Sequence, residues 1–134
     1  MAERDFPLDF ASLKPDTRPR RWLVLPPGFE SRAQPDEESP VFQASPESVL
    51  EAFKAAALKA PRTTLTREDG GQIEVMQKSK VFKFRDYVTA AVAPAAGGAA
   101  LCVYSRSVTG RYDFNVNRDR VRSWIDDTAA RLTR

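Results

Sequence analysis

The chain has no histidine and a single cysteine, Cys102, among 134 residues. Without histidine, the side chain most often used as general base or metal ligand near neutral pH is missing. Every histidine-dependent triad is excluded, and Cys102 sits in a strand-like segment with no imidazole to activate it. One cysteine also excludes an internal disulfide and fits a reducing compartment. No Walker loop, GxGxxG or CxxC occurs, so the common nucleotide and redox signatures are absent and no cofactor is expected. No apolar run approaches the ~18 residues of a membrane helix. The N-terminus, Met1 to Pro7, lacks the apolar stretch of a secretory signal. A cytoplasmic protein with no transmembrane segment is the expectation.

Net charge is also small, at +3 from 21 basic and 18 acidic residues, but it is unevenly placed. Residues 23–61 hold three basic and six acidic groups, and residues 106–134 hold seven basic and four acidic. The C-terminal excess favours an anionic partner by steering. It falls short of the clustered basic stripe of a nucleic-acid binder, so nucleic acid is not expected.

What is present reads as one domain with a single core, preceded by an arm. Residues 1–21 mix charge with Pro7, Pro15 and Pro19 and show no period, although Phe6, Leu8, Phe10 and Leu13 form a cluster suited to docking on the body. The domain proper is expected over 22–134. Trp22-Leu23-Val24-Leu25, ended by Pro26-Pro27-Gly28, suggests an edge strand or an extended contact. Residues 30–40 read as an acidic solvated loop. Ser45-Pro46-Glu47 is a helix start, with serine as cap, proline at the first position and a carboxylate at the positive end of the dipole. Val49, Leu50, Phe53, Ala56 and Ala57 then recur at helical spacing until Pro61.

Four strand-like segments follow. Residues 62–67 and 72–78 flank Glu68-Asp69-Gly70-Gly71, a tight hairpin signal. A third segment over about 81–92 alternates Phe82, Phe84, Val88, Ala90 and Val92 against Lys83, Arg85, Tyr87 and Thr89. A fourth over 99–107 sets Leu101 and Val103 against Cys102, Tyr104 and Arg106. Last comes a helix with Val121, Trp124, Ile125, Thr128 and Leu132 on one face. The pattern predicts an α+β fold in which two helices pack on one face of a four- to five-stranded, mostly antiparallel sheet. The other sheet face would carry Glu74, Met76, Lys78, Lys83, Arg85, Tyr87, Tyr104 and Arg106. Such an amphipathic face either lies under the N-terminal arm or meets a partner, a second copy of the chain included.

The stretch 104–118 is dense in arginine, hydroxyl and amide groups. Asn117 fits a helix cap, with Val116 and Val121 at the spacing of a hydrophobic staple. Asp113-x-Asn115-x-Asn117-x-Asp119 imitates the start of a calcium loop, but Arg118 replaces the required glycine and Trp124 the bidentate glutamate, so no metal is expected. Gly110 fits the turn out of the last strand. Asp86, by strict alternation, shares the core face with Phe82, Phe84 and Val88, where a carboxylate must be paired. A bulge turning it outward, a buried ion pair joining strand to helix, or a pocket shared with Arg106, Asp113 and Arg118 would each satisfy it.

Residues 78–88, followed by 104–118, resemble the domain-of-unknown-function family numbered 1499, a bacterial and plastid-associated group. Its pattern is a serine, two spaced aromatics and an aspartate, then a serine- and arginine-rich strand, a glycine, an aspartate and an Asn-Arg pair entering the last helix. Ser79, Phe82, Phe84, Asp86, Ser105, Ser107, Gly110, Asp113, Asn117 and Arg118 stand at those positions. Residues 22–28 also resemble an N-terminal element of the group, so the likeness covers about 22–132. Departures are Val108 in place of a usual arginine, Asn115 in place of a usual glycine, and Arg111-Tyr112 in place of Tyr-Ser. The resemblance implies the fold and the position of a site, and no reaction.

The residues favour a non-enzymatic binding or accessory module. It would hold a protein partner or a small anionic ligand with the sheet face and the 104–118 turn, through Lys83, Arg85, Tyr104 and Arg106. The alternative is a small enzyme or ligand carrier with a polar pocket around Asp86, Arg106, Asp113 and Arg118.

Overall fold

Ser45 starts the first helix as its sequence demands. Its backbone is extended, and its side-chain oxygen accepts from the Ser48 amide at 3.1 Å, satisfying one of the free amides of α1 (Pro46–Lys59). Val49, Phe53, Ala56 and Ala57 bury one stripe of that helix. The second helix, α2 (Val116–Leu132), buries Val121, Trp124, Ile125 and Thr128. The Phe53 and Trp124 rings meet edge to face at 6.0 Å, joining the two helices. This computed structural model describes residues 5–81 and 83–133.

Both helices lie against one face of a seven-stranded sheet. Its strands are β1 (Arg21–Leu25), β2 (Glu37–Glu38), β3 (Val41–Phe42), β4 (Thr63–Asp69), β5 (Gln72–Lys78), β6 (Arg85–Ala95) and β7 (Gly98–Ser107). The order is β2-β1-β7-β6-β5-β4, with β3 pairing further along β7. Every pairing is antiparallel except β1 with β2. The expected α+β class holds, with more strands than periodicity alone indicated. Gly70 and Gly71, both at positive φ, make the hairpin between β4 and β5.

Two expectations are corrected here. The acidic stretch 30–40 is not simply solvated. It supplies β2, Asp36 pairs with Arg21 at 3.0 Å and accepts from the Leu23 amide at 2.7 Å, and Glu37 pairs with Arg122 at 3.1 Å. These contacts cover the edge that β1 would otherwise leave open. The third of the expected strands begins at Arg85 rather than near 81. Upstream of it the Ser79 amide donates to the Phe84 carbonyl at 2.8 Å and the Phe84 amide to the Ser79 hydroxyl at 2.9 Å. That pair of bonds ties Ser79 to Phe84, Lys83 stands at φ 59, and Phe84 is 51% exposed instead of lying in the core. The core position expected for Phe82 lies outside the described residues.

From Arg85 onward the alternation holds. Val88 and Ala90 join Ile73, Val75, Leu101 and Val103 beneath the helices. The opposite face carries Leu23, Leu25, Cys102 and Tyr104, covered by Leu8, Phe10 and Leu13 of the N-terminal arm. Among the described residues the arm contributes no helix or strand before Arg21, where β1 begins. It is tied down by a pair of bonds between the Leu8 backbone and the Gln72 amide side chain, and by the Asp16 amide donating to the Tyr104 hydroxyl at 2.9 Å. Of the two occupants proposed for this amphipathic face, the arm is the one observed.

Candidate functional site

Strand β7 ends where the sheet, α2 and the arm meet, and its alternation sends Ser105 and Ser107 to the helix side and Tyr104 and Arg106 to the arm side. On the helix side a buried polar network forms around Asn117. Its side-chain oxygen accepts from the Ser105 hydroxyl at 2.6 Å and from Arg120 at 2.7 Å. Its amide nitrogen donates to Ser107 Oγ at 3.0 Å, Asp113 Oδ2 at 2.8 Å and the Arg20 carbonyl at 3.0 Å. Arg120 reaches on to Gln77 at 2.6 Å and to Asp86 at 2.8 Å. The Asp86 carboxylate, on the core side of β6, is therefore neutralised by a guanidinium from α2. Such pairing offsets a burial that would otherwise cost several kcal/mol, on the order of 3 to 5 if the partner were removed.

The network corrects several site expectations. Asn117 is the second residue of α2, wholly buried, and caps nothing. Asp113 takes the capping role, accepting from the Asn115 amide at 2.9 Å and the Asn117 amide at 3.1 Å. Asn115 precedes the helix at φ 67, a left-handed backbone that asparagine tolerates better than most residues. That tolerance accounts for asparagine standing where the resemblance expects glycine. Val116 is 48% exposed and forms no staple with the buried Val121.

The four residues proposed to line one pocket do not converge. Asp86 and Asp113 join the network, Arg118 lies outside it and bonds Asp119 at 3.0 Å, and Arg106 is on the opposite side of the sheet. Arg106 is fully buried beside Tyr104, donating to Thr89 at 2.8 Å and to the Tyr104 carbonyl at 3.0 Å, with its guanidinium 4.8 Å from the Tyr104 ring centroid. Tyr104 is also fully buried, so neither is available to a partner while the arm is in place. Lys83 and Arg85 remain exposed. Gly110 has φ 84, and its carbonyl accepts from Arg20 at 3.1 Å. Burial pushes the Cys102 thiol up to about 12, which keeps it protonated and unreactive at neutral pH.

Arg120 is the residue that sequence reasoning missed. A signal existed: it lies three residues after Asn117 and four before Trp124, beside the buried stripe of α2. A charged side chain there needs a partner, and Asp86 was the carboxylate in search of one.

Outside the network, the same end of the sheet carries an apolar rim. Phe84, Tyr112 and Val116 line a depression of about 210 Å³ with Ser79, Asp86 and Ser107 among its walls. Tyr112 is 65% and Phe114 86% exposed, with their rings 6.1 Å apart. Across the turn, a second depression of about 310 Å³ is lined by Arg18, Arg21 and Arg118 together with Asp36 and Asp113. Among the described residues no cluster of three or more acidic or cysteine side chains is placed to hold a metal ion. No helix among them is long and apolar enough to cross a membrane.

These features define an α+β domain whose sheet is closed by helices on one face and an extended arm on the other, with a keyed polar network at the strand ends. The chain belongs to the family described as a protein of unknown function, DUF1499, whose pattern matches residues 21–127. No curated protein matches the sequence.

Proposed function

We propose that this chain is a non-enzymatic binding module of the cytoplasm that makes its contacts with the end of the sheet, through the 79–85 connection and the 108–118 turn. The carrying observation is a concentration of exposure. Phe84, Tyr112 and Phe114 are the large exposed aromatic side chains among the described residues, and all three belong to these two segments. Exposed apolar clusters rimmed by polar groups mark contact surfaces more often than catalytic ones. The Asp86 and Asp113 carboxylates already hold protein donors, which supports a structural rather than an acid–base role for them. Contact through the sheet face would require the arm to leave.

The test is site-specific photo-crosslinking in cells. A benzophenone side chain in place of Phe84 is expected to give adducts that the same group in place of Leu58, exposed on α1, does not. Equal yields from the two positions, or none from either, would sink the reading.

A second reading, a carrier for a small anion, is supported by the three arginines lining the larger depression. Its check is native mass spectrometry. A retained anion that is lost on Arg118→Ala supports it, and a bare mass opposes it.

A further inference from the structure

We infer that the partner of this end is an anionic lipid bilayer surface, a step that rests on the binding-end reading above. The first observation is chemical. Between 78 and 87 and between 107 and 118 the chain places Lys80, Lys83, Arg85 and Arg111 in solvent beside Phe84, Tyr112 and Phe114. The acidic residues of those segments, Asp86 and Asp113, both face the internal network. The surface thus offers cations and aromatic rings, and the exposed carboxylate at its edge, Asp119, is bonded by Arg118 at 3.0 Å. Aromatic side chains settle at the boundary of headgroups and acyl chains, and basic side chains are held by the anionic surface above it.

The second observation is polarity along the strands. The opposite end of the sheet is the β4–β5 hairpin, where Glu47, Glu51 and Glu68 line a depression with Gly70 and Gly71, and Lys54, which bonds Glu68 at 2.8 Å, leaves the group net negative. A molecule basic and aromatic at one end and acidic at the other is oriented by a negatively charged plane, with the strands standing toward it.

The third observation is shape. Phe114 projects at 86% exposure from a backbone of φ 50, a conformation aromatic residues rarely adopt, and the Tyr112 ring lies beside it, tilted by 37°, to form a knob. The adjoining depression of about 210 Å³ is too small to seat a helix or strand of a protein partner. A projecting apolar knob ringed by cations matches a surface it can enter, rather than a segment it would enclose.

Co-sedimentation of the full chain with vesicles tests this, using phosphatidylcholine alone and phosphatidylcholine mixed with phosphatidylglycerol. The protein is expected to partition onto the mixed vesicles only, and less so as salt rises. Replacing Tyr112 and Phe114 together by alanine is expected to weaken partitioning about tenfold or more, as two interfacial rings are lost. The pair Lys80→Glu and Lys83→Glu is expected to weaken it by ~30-fold or more, each basic side chain contributing about a factor of five. All four side chains are exposed, so circular dichroism should show an unchanged fold. Equal sedimentation with the two vesicle types, or variants that bind like the wild type, would overturn the inference. If vesicles fail while the group at position 84 still cross-links a protein in cells, the membrane assignment falls and the binding end stands. If both fail, both fall.

Discussion

The two faces of the sheet are buried by different means. Under the helices, Val49, Phe53 and Trp124 interlock with strand residues, and Arg120 and Asn117 stitch α2 to β5, β6 and β7. Under the arm, a stretch without helix or strand holds on by Leu8, Phe10, Leu13 and a handful of hydrogen bonds. Regular elements satisfy their own backbone groups and can contribute a whole apolar stripe. An extended arm must find partners for its amides one at a time, as Leu8 does on Gln72 and Asp16 on Tyr104. The helix side is therefore expected to open only with global unfolding, and the arm side to open locally first.

Arg120→Ala should produce the largest effect, because it leaves Asp86 buried without its cation. The expected loss is about 3 kcal/mol in urea denaturation. Removing both charges, with Asp86→Leu and Arg120→Met, should recover most of that loss. If the double variant is as unstable as the single one, the helix-side network owes its strength to something other than the ion pair. Phe10→Ala should cost less, about 2 kcal/mol, since the arm can settle into part of the space. Its main signature should be faster hydrogen exchange in residues 5–20 and along β1, with α1 and α2 unchanged. Equal acceleration in the helices would erase the contrast and make the arm a full partner of the core.

The smallest effect concerns pH. Burial alone would raise the Asp16 carboxyl, but hydrogen bonds from the Arg18 amide and the Arg20 guanidinium, with the charges of both arginines, hold it below its ordinary 3.8. A carboxyl whose folded value is depressed stabilises the folded state fully above its unfolded value, and that contribution is lost as pH falls through the folded one. Exchange in residues 14–20 should therefore rise below about pH 4, before the helices respond. An arm that stays protected to the point of global acid unfolding would contradict this.

Much of the fold was legible because its cues are local. The Ser-Pro-Glu start of α1, the Gly-Gly hairpin and the two helical stripes are each readable within a few residues. The alternation that put Asp86 on the core face was right, and so was the inference that it needed a partner. The identity of that partner was not legible, because Arg120 meets it across 34 residues of chain. Tyr104 was misjudged for the same reason: its strand position was correct, but the arm that covers it arrives from a residue 88 positions away, and Arg106 is buried beside it. Phe84 failed differently, since two hydrogen bonds to Ser79 override its strand propensity.

The Asn117 side chain has a consequence for assembly of the fold as well as for its strength. Its five contacts draw on α2, β7, the turn at Asp113 and the Arg20 carbonyl just before β1. A strand slipped by one residue would exchange its two faces, carrying Asp86 away from Arg120 and offering Tyr87 or Arg106 to the amide instead. Apolar contacts oppose a one-residue slip because it turns the core set outward, but they discriminate less well against a slip of two, which puts one aliphatic in place of another. Directional donors and acceptors tolerate neither. The network thus acts as a register check on the growing sheet, rewarding the one alignment in which arm, strands and last helix arrive together.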